Sequence, residues 1–99
     1  MKIYISGPIT GTTDYMERFE QAEKLLKRLG YEVMNPAKVN SNMPEGTTHE
    51  EYMKMSYAML SMCELMMLLP GWENSKGCRM EIEHAIKQGI SITFAEVGE

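Results

Sequence analysis

A chain of 99 residues with 43% hydrophobic and 24% charged residues has the composition of one globular domain rather than a disordered polymer. Its net charge of −4 and its lack of a Lys/Arg block argue against a groove for duplex nucleic acid, because binding the phosphate backbone requires clustered cations. No apolar run reaches the roughly 18 residues of a membrane span. No signal-peptide pattern opens the chain, so we expect a cytoplasmic protein without a membrane partner.

The first half of the chain predicts two strands separated by a helix. Residues 2–6 (KIYIS) alternate in polarity and are rich in β-forming residues, which indicates a first strand. After a Gly/Pro/Thr loop, apolar residues recur at helical spacing from residue 14 or 15 until Gly30 stops the run. Residues 31–36 (YEVMNP) predict a second strand. Residues 37–46 are polar and aperiodic, and we expect a lid-like loop there.

The second half of the chain continues the alternation of helix and strand. Thr47 or Thr48, followed by acidic residues, is the cap signal of one helix, and Asn74 or Ser75 is that of another. The run ELMMLLP is continuously apolar, as a strand covered on both faces should be. The predicted elements are a helix over residues 48–62, a strand over 64–70, a helix over 76–89 and a strand over 90–97.

This β-α-β-α-β-α-β order predicts a single α/β domain over residues 1–99. We expect a Rossmann/flavodoxin-like three-layer sandwich, with a four-stranded parallel sheet and helices on both faces. In such sheets, ligands bind beyond the carboxyl ends of the strands, near the switch in strand order. The predicted strand ends there are Ser6-Gly7-Pro8, Asn35-Pro36 and Leu69-Pro70-Gly71.

The loop after the first strand is a candidate anion site. Ser6, Gly7, Pro8 and Thr10 belong to a segment rich in backbone N–H groups and hydroxyls. The segment lacks the Lys of a P-loop and the glycine spacing of a dinucleotide fingerprint. A plain turn is an equally good interpretation of the loop alone.

The start of the third helix carries a second candidate site. The Ser75 hydroxyl and the N–H groups around Gly77 suit a phosphate, and Glu81 follows on the face nearest the loop. A helix N-terminus lowers a carboxylate pKa, so an ionised Glu81 is a candidate nucleophile. The alternative is that Ser75 only caps the helix and that Glu81 is a solvated carboxylate paired with Lys76 or Arg79.

Two aromatic residues flank these segments. Tyr4, in the first strand, suits either the core or the rim of the site. Trp72, after the third strand, suits either stacking on a base or covering the core. His49 and His84 have no metal-ligand spacing, so we expect no metal and no cofactor.

Three strings resemble a known family. KIYISGPITG, GYEVMNPA and LLPGWENSKGCRMEIEHA are similar to a small phage and bacterial family of unknown function. That family in turn resembles nucleoside 2-deoxyribosyltransferases and 2′-deoxynucleoside 5′-monophosphate N-glycosidases. The resemblance implies that Glu81 attacks the anomeric carbon, that Tyr4 positions it, and that Ser75 helps to hold a 5′-phosphate. It also implies a nucleotide or deoxynucleotide ligand and a homodimer or higher homo-oligomer, with the Met-rich helix over residues 52–62 at the subunit contact.

The chain departs from this family at one position. Relatives usually carry an Asp that orients or protonates the nucleobase where this sequence has Ser56, whereas the acidic position before the third strand is retained as Glu64. A Ser cannot protonate a leaving group at neutral pH, so Glu50, Glu51 or Glu64 would have to substitute. The departure keeps a second function open, namely a non-catalytic nucleotide-binding or signalling module on the same fold.

Overall fold

Four strands form a single parallel sheet in the computed structural model, which describes residues 1–9 and 11–95. The strands are β1 (Lys2–Ser6), β2 (Glu32–Met34), β3 (Leu65–Leu68) and β4 (Ser91–Phe94). Their order across the sheet is β2-β1-β3-β4, the flavodoxin-like order. The prediction of a four-stranded parallel sheet is therefore confirmed. The predicted last strand extended to residue 97, and residues 96 and 97 lie outside the described part of the chain.

Helices cover both faces of this sheet. They are α1 (Tyr15–Arg28), α2 (Pro36–Asn40), α3 (His49–Ser61) and α4 (Lys76–Gln88). One hydrophobic cluster joins Tyr4 of β1 to residues of α3 and α4, and the other joins Ile3 and Ile5 to residues of α1 and α2. Successive side chains of a strand point to opposite faces, so β1 supplies both cores. The three-layer sandwich predicted from the sequence is confirmed.

The switch in strand order lies between β1 and β3. Ser6 at the end of β1 pairs in register with Leu68 at the end of β3. The chain leaves β1 toward one face of the sheet and leaves β3 toward the other, so the two loops diverge and leave a crevice. Within residues 1–9 and 11–95, no helix is long and apolar enough to cross a membrane.

The loop predicted over residues 37–46 was wrong in its first part, where α2 forms. The Asn35 side chain accepts a hydrogen bond from Ala37 N at 3.0 Å, and Pro36 occupies the first turn. Both residues favour a helix start, since Asn satisfies a free amide and Pro has none to satisfy. The helix is too short for an apolar period to show in the sequence.

A buried carboxylate joins α1 to α2. Glu23 is only 7% exposed, and it accepts hydrogen bonds or ion pairs from Asn35 at 2.9 Å, Lys27 at 2.6 Å and Lys38 at 3.1 Å. Burial alone would raise the pKa of Glu23. The hydrogen bonds from its three partners outweigh that effect and lower the pKa from 4.5 to about 2.

This pairing predicts a pH-dependent stability. Because the folded pKa lies below the ordinary value, the Glu23 carboxylate stabilises the fold above about pH 4.5, and the contribution is lost as the pH falls toward 2. We expect Glu23→Gln to lower the free energy of unfolding by about 1–2 kcal/mol at pH 7, since the lysine partners are partly exposed. Urea unfolding at a series of pH values measures this free energy, and Glu20→Gln, at an exposed position of the same helix, is the control. A deficit of equal size at pH 7 and near pH 2 would contradict the assignment.

Candidate active site

Glu81 is a buried carboxylate with both oxygens hydrogen-bonded. Tyr4 Oη donates to Glu81 Oε2 at 2.5 Å, and Ser6 Oγ donates to Glu81 Oε1 at 2.7 Å. Tyr4 and Ser6 are two residues apart on β1, so both side chains point to the face that α4 covers. Glu81 is 7% exposed, and the two hydroxyls fix the plane and direction of its carboxylate.

Burial sets the protonation behaviour of Glu81. Removal from water raises its pKa, and hydrogen bonds from Tyr4, Ser6 and Ser56 oppose that rise only in part. The predicted lowering by the helix N-terminus was wrong because desolvation dominates. The alternative of a solvated carboxylate paired with Lys76 or Arg79 is also wrong.

Tyr4 remains a hydrogen-bond donor at every physiological pH. Burial, followed by the adjacent charge of Glu81, raises the pKa of the Tyr4 phenol well above its ordinary value. A phenol that stays protonated always has a proton to donate, so Tyr4 orients the Glu81 carboxylate by donating to it.

A cleft of about 920 Å³ opens above this carboxylate. It lies at the carboxyl ends of β1 and β3, between α1 and the N-terminal ends of α3 and α4, where the switch in strand order predicted a ligand site. Its lining includes Gly7, Pro8, Tyr15, Arg18, Asn40, His49, Tyr52, Met53, Ser56, Ser75, Lys76, Gly77, Cys78 and Glu81.

The N-terminal end of α4 presents donors to the cleft. Ser75 Oγ accepts from Cys78 N at 3.2 Å, which leaves the Ser75 hydroxyl proton free to donate to another acceptor. Lys76 and Gly77 carry N–H groups of the first turn, and both line the cleft. Arg18 lies across from them, its Nη2 bound to Pro70 O at 2.7 Å. Free helix amides, a hydroxyl and Lys76 on one wall, with Arg18 on the facing wall, suit an anion.

The loop after β1 forms the floor of the cleft. Gly7 and Pro8 line it, and Ser6 is buried beneath with its hydroxyl on Glu81. Thr10, which was predicted to bind substrate, lies outside the described residues. Of the predicted residues, the structure brings together Tyr4, Ser6, Gly7, Pro8, Ser75, Gly77 and Glu81.

Gly7 is needed where the loop passes over the core. A Cβ at this position would lie 3.1 Å from Leu69 Cβ and 3.2 Å from Phe19 Cε1. We expect Gly7→Ala to cost roughly 1–3 kcal/mol of unfolding free energy, as over-packing does. Thermal unfolding measures it. Gly46→Ala is the control, since a Cβ there meets nothing within 4 Å. Equal stability of the two variants would contradict the steric requirement.

Three predicted binding residues lie away from the cleft lining. Asn35 caps α2 and binds Glu23. Trp72 packs on Phe94, with ring centroids 5.5 Å apart, and against the core beneath α4. Glu64 lies at the opposite end of the sheet, where its carboxylate accepts from Lys2 N at 2.9 Å.

The structure also adds residues that the sequence reasoning did not select. His49 and Tyr52 of α3 line the cleft beside Ser56. His49 and Tyr52 precede Ser56 at helical spacing, so the sequence could have placed them on the same helix face as Ser56. Asn40 ends α2, and among the described residues its Oδ1 is the one buried side-chain oxygen or nitrogen without a hydrogen-bond partner. Nothing in the sequence pointed to Asn40, because α2 itself was not predicted.

The cysteines and acidic residues of the described ranges, 1–9 and 11–95, show no metal-binding arrangement. Cys78 is buried against the site, and burial raises the pKa of its thiol. It is therefore a neutral packing residue rather than a thiolate. In the part of the chain that the structure describes, no three His, Cys, Asp or Glu side chains form a group that could hold a metal ion.

The sequence matches one protein family over nearly its whole length. Residues 1–94 match the family described as Domain of unknown function (DUF4406). No curated protein matches the chain.

Solved structures share the fold at low sequence identity. The 2-deoxyribosyltransferase of Bacillus psychrosaccharolyticus aligns with a TM-score of 0.76 and 17% identity, over 100% of this chain and 77% of that one. The CMP N-glycosidase of Clostridium botulinum gives 0.69 and 22%, over 95% and 70%. The 2-deoxyribosyltransferase of Leishmania mexicana gives 0.72 and 18%, over 94% and 62%. At these identities the likeness shows the fold, that of the nucleoside deoxyribosyltransferases.

Proposed function

We propose that this chain, which belongs to the DUF4406 family of domains of unknown function, cleaves the N-glycosidic bond of a (deoxy)nucleoside 5′-monophosphate. Glu81 is the nucleophile, the base is the leaving group, and the sugar phosphate is then transferred from Glu81 to water or to a second base. The observation that carries the proposal is the Glu81 carboxylate, oriented by Tyr4 and Ser6 beneath a cleft of nucleotide size.

The surroundings of Glu81 suit a carboxylate nucleophile. A buried carboxylate has little water to shed before it attacks C1′ of the sugar, and ester formation removes its charge from a low-dielectric site. The hydroxyls of Tyr4 and Ser6 hold one oxygen each, so the attacking direction is set before substrate binds. A covalent glycosyl-enzyme followed by attack of water is the retaining sequence known for paired-carboxylate glycosidases.

The α4 end of the cleft supports a 5′-phosphate as the second recognition group. Ser75 can donate a hydroxyl proton, the first-turn amides of α4 point the same way, and Lys76 and Arg18 supply positive charge. One structural neighbour is named for CMP, a nucleoside 5′-monophosphate, which supports the same substrate class here.

One observation favours a second candidate, a nucleotide-binding module without catalysis. Of the described residues that line the cleft, Glu81 alone carries a carboxyl group. Ser56 lies beside it at the position where the family resemblance implies an Asp that orients or protonates the base. A cleft that holds a nucleotide without protonating the departing base would bind and not react.

A panel assay separates the two candidates. The protein is incubated with each common ribo- and deoxyribonucleoside 5′-monophosphate, and free base is followed by chromatography. Release of base from one or more members supports the glycosidase. Nucleotide binding by calorimetry without release across the panel would contradict it and support the binding module.

A further inference from the structure

Resting on the proposed glycosidase, we infer that His49 donates the proton that the departing nucleobase requires. An N-glycosidic bond breaks more easily when the base leaves as a neutral molecule, so a proton donor must stand on the far side of the sugar from the nucleophile. The sequence departure at Ser56 leaves that task without an obvious residue. His49 lies on the same helix and the same cleft wall.

The three carboxylates considered from the sequence are engaged elsewhere or absent from the cleft. Glu51 Oε1 accepts from Thr48 N at 2.9 Å in the capping box of α3. Glu64 binds Lys2 N at the opposite end of the sheet. Glu50 is exposed and is not among the cleft-lining residues.

The other ionisable groups that face the cleft do not suit the role. They are Tyr15 and Arg18 of α1, Tyr52 of α3, and Lys76, Cys78 and Glu81 of α4; α2 contributes only the neutral Asn40. Arg and Lys hold their protons too strongly to release them near neutral pH, and a phenol does so as well. Glu81 is the proposed nucleophile at C1′ and therefore cannot also protonate the base on the far side of the sugar. Histidine is the side chain that both gives and takes a proton in this range.

The position of His49 on α3 matches the size of the substrate. His49, Met53 and Ser56 follow at helical spacing along the face that lines the cleft. Ser56 is close enough to the Glu81 carboxylate for its hydroxyl to lower the pKa of that group. His49 is seven residues earlier on the helix, which is two turns or about 10 Å toward the cleft mouth. A sugar carbon above Glu81 and a base extending from it along α3 would bring a ring nitrogen or carbonyl to the imidazole. The capping box holds this end of the helix in place.

The proposed step balances in both halves of the reaction. Glu81 Oε forms a bond to C1′ while the C1′–N bond breaks, and its electron pair takes the proton from the His49 imidazolium. The neutral base departs. A water molecule then gives its proton to the neutral imidazole and its oxygen to C1′, which breaks the ester and restores the Glu81 carboxylate. The sum is nucleotide plus water giving base plus sugar phosphate.

His49→Gln and His84→Gln are the matched pair that tests the inference. His84 stacks on Tyr57 and binds Ser61 between α3 and α4, and it does not line the cleft. On a nucleotide that the wild type cleaves, we expect His49→Gln to lower kcat at least about 100-fold and to lose the alkaline limb of the pH–rate profile. On 4-nitrophenyl 2-deoxyribose 5-phosphate, whose leaving group departs without a proton, we expect kcat/KM, which reports only the steps up to release of 4-nitrophenol, to change by less than about threefold. His84→Gln should resemble the wild type on both substrates.

Each other outcome overturns a different claim. An equal loss on both substrates, with an unchanged pH profile, would give His49 a structural role only. Cleavage of the nucleotide by His49→Gln at the wild-type rate would overturn the inference and leave the glycosidase in place. No cleavage of any nucleotide by the wild type would overturn both.

Discussion

Glu81→Gln should abolish base release from nucleoside 5′-monophosphates, with kcat lowered by at least about 10³-fold. The amide keeps the shape of the carboxylate and can still accept a hydrogen bond from Ser6 and meet Tyr4, but it cannot form the ester to C1′. Nucleotide affinity should change little, because in the proposed complex the phosphate binds at the N-terminal end of α4, away from Glu81. Base release by chromatography and affinity by calorimetry measure the two effects separately.

The same variant should be more stable than the wild type. Because burial raises the pKa of Glu81, ionising this carboxyl is costlier in the folded protein than in the unfolded chain, and the stability falls as the pH rises through that raised value. Gln carries no charge, so the gain in Tm should be a few degrees at pH 8 and should shrink toward pH 4. Glu83→Gln, exposed on the same helix, is the control for both measurements. Turnover within tenfold of the wild type, with the base still released, would show that Glu81 is not the nucleophile.

Ser75→Asp should weaken binding of the 5′-phosphate and raise KM for a nucleoside 5′-monophosphate on the order of 100-fold. Ser75 Oγ accepts from Cys78 N, so its hydroxyl proton could donate to a phosphate, whereas the carboxylate of Asp has no such proton and would place a negative charge beside the phosphate. Asp caps a helix as well as Ser, so α4 should begin at the same residue. Steady-state kinetics on the nucleotide and on its phosphate-free nucleoside measure the change.

Comparison of the two substrates isolates the phosphate in this test. The nucleoside should be bound no worse by Ser75→Asp than by the wild type, because its 5′-hydroxyl can donate to the new carboxylate. Ser75→Thr should retain most of the activity on the nucleotide. If Ser75→Asp raises KM for the nucleotide and for the nucleoside equally, the N-terminal end of α4 does not bind the phosphate.

Much of the fold could be predicted from periodicity and turn chemistry. The apolar spacing of α1, the continuous run of β3 and the cap signals at Thr48 and Ser75 each mark an element that the structure contains. Helix α2 was missed because it is too short to show a period, although Asn35-Pro36 carried its start signal. Apolar periodicity predicts long elements well, whereas a short helix such as α2 can be predicted only from its capping residues.

The sequence indicated which residues to consider for the site, but not how deeply each of them is buried. The interval from Ser75 to Glu81 predicted that Glu81 lies on the face nearest the loop, whereas the pairing of Tyr4 with Glu81 was implied only by the family resemblance. The pKa direction of Glu81 could not be derived, because desolvation depends on how α4 packs over β1. His49 was passed over since its spacing suggests no metal site, and only the cleft shows that it faces the same space as Glu81.

The remaining expectations depend on contacts that a single chain does not display. Met53 and Met59 of the Met-rich helix are buried in the chain's own core, whereas Met62 is 55% exposed. The homodimer through this helix therefore stays a prediction. Trp72 likewise packs on Phe94, and its proposed stacking on a base has no support from the cleft lining.

The most direct test of Glu81 as nucleophile is to trap the glycosyl-enzyme. A 2-deoxy-2-fluoro nucleoside 5′-monophosphate slows the second half of the reaction, so the sugar phosphate should accumulate on the protein and appear as added mass in intact mass spectrometry. We predict that the adduct maps to the peptide containing Glu81 and is absent from Glu81→Gln. Base release without an adduct, or an adduct on another residue, would contradict the proposal.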